Sequence, residues 1–512
     1  MAKSRTGSSI RNAFFSFGGY IFTILLQFVN RTFFVHLLSA EYLGLNGLFS
    51  NILSVLALSE LGIGTAMAFA LYKPVAEHDT ELIKSLMHLY KKMYTIIGSF
   101  VIVAGLILTP FLHVLIKDMP DIKYIRVYFL LYVLNAGVSY FYTYKRTLII
   151  CDQDAYISTS TQLLASIGTK IVQVIVLFWT KNYLLYLLVQ VIFTISENML
   201  ISKIADRKYT YLKDKHIQPL PAEEKENIKV NVKAMLCHKI GTVVVNATDN
   251  LIISKILGLA SVGSYANYTL VVDNISALTD KIIYSISASV GDLIATGDKE
   301  KAERMFYNIL FVNYWVVSFC SICLVGLLQS FIQLWLGEEY LFSSFTVIIL
   351  VLCFYFSRMR NTVNIYKEAA GIMRQDKYKA LIESVVNLVV SIPLTYKLGV
   401  AGVRLGTLIS TLLVPFWLEG YVLFKHFFGK SPVRYMAKQV GYLATSILVA
   451  LVTGMLSMVI PGEGLINFAA KMVLYVLLPN ILMGLLFFKT KEFEYLRSIF
   501  ARVVKHNKSK GE

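Results

Sequence analysis

Charge is scarce in this chain. Only 16% of its 512 residues are Asp, Glu, Lys or Arg, where soluble globular chains carry about 25%. With 56% hydrophobic residues and a mean hydropathy of +0.61, the composition excludes a soluble enzyme and is that of an integral membrane protein. Cysteine is sparse as well: Cys151, Cys237, Cys320, Cys323 and Cys353 lie in or beside apolar blocks without framework spacing. The CxxC of Cys320 and Cys323 sits inside "VVSFCSICLVG", where small apolar packing accounts for it better than redox or zinc chemistry. His238 follows Cys237, but no second His or Cys stands at ligand spacing, so no metal is expected. No phosphate-binding P-loop, no Gly-rich dinucleotide turn and no Ser-His-Asp arrangement is present. No cofactor and no catalysis are therefore expected, and energy for any transport must come from an ion gradient, the membrane potential or the substrate's own gradient.

What is present is a series of apolar blocks, each long enough to cross a bilayer, which takes roughly 20 residues as helix. "YTIIGSFVIVAGLILTPFLHVLI" (Tyr94 to Ile116) and "YLATSILVALVTGMLSMVI" (Tyr442 to Ile460) are examples. Backbone groups in lipid must be satisfied within the segment, so the blocks read as helices. Fourteen spans are expected, at residues 14–37, 46–71, 93–116, 124–143, 156–178, 183–204, 234–257, 262–288, 305–329, 342–362, 379–398, 403–425, 440–460 and 467–488. The start, "MAKSRTGSSIRN", is basic like a signal peptide, but the apolar run after it is too long and lacks a cleavage motif, so an uncleaved first span is expected. Basic residues fall on alternate loops, among them "YKRT", "DRKYTYLKDKHIQPLPAEEKENIKVNVK" and "KHFFGKSPVRYMAK". Lys and Arg mark the cytoplasmic side, which places both termini there. The net charge of +17 is this inside bias plus a basic tail near anionic lipid, and no nucleic-acid partner follows from it.

The chain also repeats itself. "YKRTLIICDQDAY" (Tyr144 to Tyr156) and "YKEAAGIMRQDKY" (Tyr366 to Tyr378) share Tyr-Lys, seven residues, Gln-Asp, one residue, Tyr, at an offset of 366 − 144 = 222. "VNRT" at Val29 matches "VNAT" at Val245, 245 − 29 = 216, and "AEHDTE" at Ala76 matches "ATGDKE" at Ala295, 295 − 76 = 219. Six spans per copy is an even number, so the second copy enters the membrane from the same side as the first. Such parallel repeats are related by an axis along the membrane normal and enclose a cavity. The expected fold class is thus an all-α membrane protein of fourteen helices, with a six-helix bundle at 1–204, a linker at 205–232, a second bundle at 233–428, and an appended helix pair with a basic tail at 429–512. Asp154 and Asp376 stand where the N-caps of spans five and eleven fall, and a carboxylate there accepts first-turn amides. The competing reading makes these loops half of an inner gate.

Ionisable groups at bilayer depth are costly and usually face a cavity or a partner. In span one, Gln27, Asn30 and Arg31 share a face with Tyr20 and Thr23; in span two, Ser50, Ser54, Ala57, Glu60 and Gly64 do so. Span seven carries His238, Thr242, Asn246 and Asp249, and span eight Asp273, Ser276, Asp280 and Tyr284, with Lys281 adjacent. Span five has Gln162, Ser166 and Lys170, and span eleven Glu383, Asn387 and Ser391. Together the stripes suggest a water-filled vestibule, against the alternative of interhelical hydrogen bonds or ion pairs such as Arg31 with Glu60. Arg358 and Arg360 near the end of span ten either snorkel or bind substrate. The candidate substrate contacts are Arg31, Gln27, Asn30, Glu60, Lys170, His238, Asn246, Arg358 and Arg360. Asp249 and Asp273 are the candidate proton or sodium carriers.

The chain resembles the polysaccharide transporters, lipid-linked oligosaccharide flippases of the MOP superfamily, through "LALSELGIGTAMAFALYKP" (Leu56 to Pro74), "HKIGTVVVNATDNLIISKILGLASVGSYANY" (His238 to Tyr268), "SASVGDLIATGDKEKA" (Ser287 to Ala302), "FIQLWLGEEYL" (Phe331 to Leu341) and "AAGIMRQDKYKALIESVVNLVVSIPLTYKLGVAGVRLGTLIST" (Ala369 to Thr411). That resemblance implies transfer of an undecaprenyl-pyrophosphate-linked oligosaccharide from the inner to the outer leaflet of a bacterial cytoplasmic membrane by alternating access, for capsule, exopolysaccharide or O-antigen assembly. It implies proton or sodium coupling as well, and a polysaccharide polymerase and other assembly proteins as partners. Given such a substrate, Arg31 would meet the pyrophosphate. A peptidoglycan-precursor (lipid II) flippase and a multidrug and toxin extruder are the alternatives. The extruder usually stops at twelve spans and favours carboxylates over Arg31 and Lys170. A scaffold for a polymerase, without transport of its own, is the third class.

Overall fold

Helix is the only regular structure formed by the described residues of this computed structural model. They are 22–60, 62–117, 122–214, 216–372, 375–376, 378–460 and 464–498, and the side chains at 59, 227, 231, 233–246 and 288 are left aside. Packing divides the chain into two compact units, Met1–Gly263 and Ser264–Glu512. The N-terminal unit holds α1 (Phe22–Leu37), α2 (Ala40–Leu56), α3 (Ile63–Glu77), α4 (Thr80–Leu108), the short α5 (Leu112–Leu115), α6 (Ile125–Cys151), α7 (Ala155–Thr180), α8 (Tyr183–Lys208) and α9 (Ala222–Leu257). α10 (Leu259–Tyr284) runs into the C-terminal unit. There follow α11 (Ser287–Ala295), α12 (Lys299–Leu336), α13 (Ser344–Met359), α14 (Asn361–Ala369), α15 (Lys379–Leu398), α16 (Val400–Leu413), α17 (Pro415–Leu423), α18 (Val433–Ser457) and α19 (Leu465–Phe487). Helices lie where spans were expected, and nine helical stretches among the described residues are long and apolar enough to cross a membrane.

Three departures from the expected pattern have local causes. The second span is broken: α2 ends in a 3₁₀ turn at Ala57–Glu60, and Gly62 takes φ 77° before α3 begins, a left-handed conformation open to glycine at little cost. The uninterrupted stripe from Ser50 to Gly64 therefore does not form. The seventh span, α9, clusters with the N-terminal unit, and just past its end glycines let the first turns of α10 touch α2. A Cβ on Gly44 would lie 2.1 Å from the Leu259 carbonyl and one on Gly263 2.2 Å from that of Ala40, while Asn51 Nδ2 donates to the Ala247 carbonyl at 3.1 Å. Small residues are how membrane helices approach closely. Third, the linker is structured. Residues 209–214 and 216–221 lie on the N-terminal unit with Leu220 and Ile228 buried in its core beside Leu86, Leu148 and Ile201, and α9 then runs unbroken from Ala222.

The repeat has a structural counterpart in each unit. Asp79 caps α4 by accepting the Leu82 amide at 3.0 Å, and Asp298 caps α12 by accepting that of Lys301 at 2.9 Å. The residue before each is left-handed: His78 at φ 57° and Gly297 at φ 76°. "AEHDTE" and "ATGDKE" thus spell the same helix start twice.

In the C-terminal unit, α18 and α19 pack on the long α12. Tyr314 stacks on Tyr442 at 4.1 Å between ring centroids, Trp315 Nε1 donates to Asn480 Oδ1 at 2.9 Å, and Tyr475 lies so close to Gly326 that a Cβ there would meet its ring at 2.0 Å.

Candidate functional site

In the N-terminal unit the polar face of α1 is knitted to α7 and α8. Asn30 is buried; its Nδ2 donates to Gln173 Oε1 at 3.2 Å and its Oδ1 accepts from the Tyr186 hydroxyl at 3.2 Å. Lys170 Nζ reaches the Thr23 carbonyl at 3.4 Å. Phe34, Tyr42, Tyr128, Tyr183 and Tyr186 pack edge to face around this point. Arg31 keeps a buried Nη1 without a hydrogen-bond partner, and Tyr186 and Tyr132 are among the groups that act on its charge. Gln27 lies half-buried on the same helix. The ion pair of Arg31 with Glu60 does not form, because the break after Leu56 turns Glu60 to α4, where it accepts from the Tyr94 hydroxyl at 2.7 Å. Asp249 on α9 is 5% exposed; the side chains of His238 and Asn246 lie outside the described residues.

The C-terminal unit gathers its charges more tightly. Arg360 grips Glu419 with two parallel bonds, Nε to Oε2 and Nη2 to Oε1, both 2.8 Å. Lys379 joins Glu419 from α15, and Asp376 lies 3.5 Å from Lys379 and pairs with Lys367. Glu419, Asp376 and Lys367 are all but inaccessible, so each needs a partner. Arg358 donates Nη1 to Asp280 Oδ2, and Asn361 Nδ2 donates to Oδ1 at 2.7 Å. Neither arginine snorkels, since each finds a carboxylate inside the unit. Asp273, on the same helix as Asp280, is exposed on the unit's surface.

The repeated loops are also ionic, but differently wired. Lys367 pairs with Asp376 within its own loop. Lys145 instead bonds Asp206 at 2.7 Å and Ser202 at 2.8 Å, both on α8, while Asp152 and Asp154 share Lys208. Neither Asp154 nor Asp376 caps a helix: Asp154 precedes α7 without a side-chain cap bond, and α15 begins two residues past Asp376's successor, after Tyr378. The N-cap reading gives way to salt bridging because lysine nitrogens lie within reach. The α15 stripe is likewise glue. Glu383 accepts from Thr411 at 3.3 Å, Asn387 donates to Thr407 at 3.1 Å and Ser391 to the Val403 carbonyl at 3.3 Å, so these residues face α16 and no vestibule.

Four charged residues that matter here escaped the reading of the sequence: Glu419, Arg404 and the Arg146–Glu197 pair between α6 and α8. The first two were detectable as single ionisable residues inside apolar runs, "FWLEGY" and "AGVRLGT". Glu197 and Glu419 stand 419 − 197 = 222 residues apart, the offset of the loops, and each receives an arginine.

The family model described as Polysaccharide biosynthesis protein matches residues 9–290. No curated protein matches the chain in sequence. Among solved structures, the fold is similar to that of the lipid II flippase MurJ in an inward closed conformation, at 15% identity and TM-score 0.67 over 93% of this chain and 99% of that one. It is similar as well to an inward-facing multidrug resistance MATE family transporter of the MOP superfamily, at 14% identity and TM-score 0.55 over 78% and 93%. A Vibrio cholerae MATE transporter, VcmN, follows at 16% and 0.53 over 81% and 95%. At such identities the likeness speaks for the fold.

Proposed function

The chain belongs to the polysaccharide biosynthesis protein family, and from that premise we propose that it is a flippase. It carries undecaprenyl-pyrophosphate-linked oligosaccharide units from the inner to the outer leaflet by alternating access, for capsule, exopolysaccharide or O-antigen assembly, without making or breaking a covalent bond. The family match carries this reading, and a multi-pass helical fold shared with a flippase supports it. In this account fourteen spans cross a bacterial cytoplasmic membrane with both termini inside, and the copies at 1–204 and 233–428 are related by rotation about the membrane normal. Arg31 offers a planar fork to pyrophosphate oxygens, with Gln27, Asn30, Lys170, His238 and Asn246 lining the same route. Asp249 and Asp273 bind and release the coupling ion, proton or sodium. A polymerase and other assembly proteins take up the product.

The test is twofold. Deleting the gene should abolish surface polysaccharide, and the purified protein in liposomes should move a fluorescent polyprenyl-pyrophosphate oligosaccharide to the outer leaflet. Retained surface polysaccharide together with inert liposomes refutes the reading; inert liposomes with lost polysaccharide favour a scaffold. Transfer of lipid II is the second reading, favoured by the near-complete coverage of MurJ, and lipid II in the same liposomes decides between them. Transport of an organic cation instead would point to a multidrug extruder.

A further inference from the structure

The first turns of α18 carry Arg434 and Lys438, four residues apart and so neighbours on one face. Both reach the same aromatic ring on α12: the Arg434 guanidinium carbon lies 4.9 Å from the centroid of Tyr307, and Lys438 Nζ lies 5.3 Å from it. Two cations held at one ring repel each other, so each gains from an anion. Lys438 has one in Glu492, just past α19, at 2.5 Å. Lys430, before the start of α18, has another in Glu303, one turn before Tyr307 on α12, at 2.5 Å. Arg434 is exposed, and among the described residues it makes no hydrogen bond and no ion pair. Three cations against two carboxylates leave one positive charge over, 3 − 2 = 1. It stands in the first turn of a helix, where the dipole also favours an anion. The Tyr307 hydroxyl is buried and has no hydrogen-bond partner.

The surroundings are those of a membrane headgroup. α12, α18 and α19 are each long and apolar enough to cross a membrane, and Tyr307 and Trp315 on α12 are of the type that gathers at the interface. Past the cations the outer side of α18 is bare. Val433, Val440, Ile447 and Leu448 are exposed there, and a Cβ at Gly441 would meet nothing within 4 Å.

We propose that the start of α18 binds an anionic phospholipid, with Arg434 as the principal donor to its phosphate, Lys438 as the second cation, and the bare side of α18 as the wall for its acyl chains. Basic pockets between membrane helices suit such headgroups. A guanidinium at a ring face is held by the ring's quadrupole while its N–H edges stay open to an acceptor, and that fork meets two phosphate oxygens at once. A zwitterionic lipid would bring its own cation to a place already in positive excess, and a soluble phosphate would leave the apolar wall uncovered. Glu492 acts in the opposite sense, because it competes with the lipid for Lys438. Removing Arg434 and removing the Glu492 charge should therefore move affinity in opposite directions. A cation held at Tyr307 for packing alone would not do this.

The experiment is native mass spectrometry of the purified full-length protein in neutral detergent, titrated with phosphatidylglycerol and with phosphatidylcholine of the same chains. Phosphatidylglycerol should bind at least tenfold more tightly. R434Q should weaken it roughly tenfold, the size of one lost charge-assisted bond. R434K should retain part of the affinity, E492Q should tighten binding, and K397Q, an exposed lysine at the far end of α15, should change nothing. Equal binding of the two lipids, an R434Q variant that binds like wild type, or a K397Q variant that loses as much, overturns the site. So does glycerol 3-phosphate binding as tightly as the lipid, which would mark a soluble-phosphate site, or farnesyl pyrophosphate binding more tightly, which would assign the place to the transported substrate. If R434Q does not fold, the E492Q arm decides: tighter binding supports the site and unchanged binding refutes it. The readout needs no transport, so this assignment and the flippase reading stand or fall separately.

Discussion

Glu419 is 1% exposed, and Arg360 meets it with two N–H bonds while Lys379 approaches from the side. A carboxylate so placed depends on its cations. Arg360→Ala should destabilise the protein by about 3–5 kcal/mol, because it strands a buried charge, and Arg360→Ala with Glu419→Gln should recover most of the loss. Thermal unfolding in detergent reads both; equal melting of the single variant and wild type would show that the pair is dispensable. The existence of this cluster could be suspected from a lone glutamate in "FWLEGY". Its partner could not, because Arg360 lies 419 − 360 = 59 residues away and no periodicity links them. The same limit applies to Glu60. Its position in an apolar block announced a partner, yet the choice of Tyr94 over Arg31 follows from a helix break that hydropathy does not register.

Among elements, the contact of α15 with α16 depends on absent side chains. A Cβ at Gly406 would stand 2.1 Å from Ser391 Oγ and 2.7 Å from its backbone, so Gly406→Ala should push the helices apart and cost about 1–3 kcal/mol, read as a lowered melting temperature. The strap at 209–221 depends on charge instead. Lys84 bonds Asp214 at 2.9 Å, Ser85 Oγ the Gln218 carbonyl at 2.7 Å, and the Tyr209 hydroxyl Asp152 at 2.8 Å. The His216 amide and Lys84 hold Asp214 below the usual carboxylate range. Burial raises Asp152, but hydrogen bonds from Lys208 and Tyr209 outweigh it and hold this carboxyl low as well. Both acids are lowered by folding, so the stability they contribute is complete above the unfolded value of about 3.9 and is lost as pH falls below it. Hydrogen exchange of residues 209–221 should accelerate between about pH 4 and pH 3, and Lys208→Gln should remove part of that pH dependence. Exchange that ignores pH would refute the ionic strap.

For the whole molecule, the helical class and the positions of the helices were legible, since apolar length is a property of sequence order, and the matched helix starts at Asp79 and Asp298 were marked by repeated words. The packing of α9 on α2 was not legible: it turns on Gly47, beside which Asn250 lies, and on Asn51, which reaches the Ala247 carbonyl, and close approach is a matter of missing atoms. The terminal pair α18–α19 reads in the sequence as an appendage, yet its fit on α12 through Tyr475, Asn480 and Tyr442 makes it part of the C-terminal unit's core. Truncation after residue 428 should therefore prevent accumulation of folded protein, measured by size exclusion of a fluorescent fusion, and a monodisperse truncated chain would disprove that dependence. The twin loops have a historical consequence. They agree at Tyr, Lys, Gln and Asp but are inverted in between, with Arg146 in one where Glu368 stands in the other, 368 − 146 = 222. Copying the second loop over the first by recombination would set a glutamate against the part-buried Glu197, so the two loops can no longer stand in for one another.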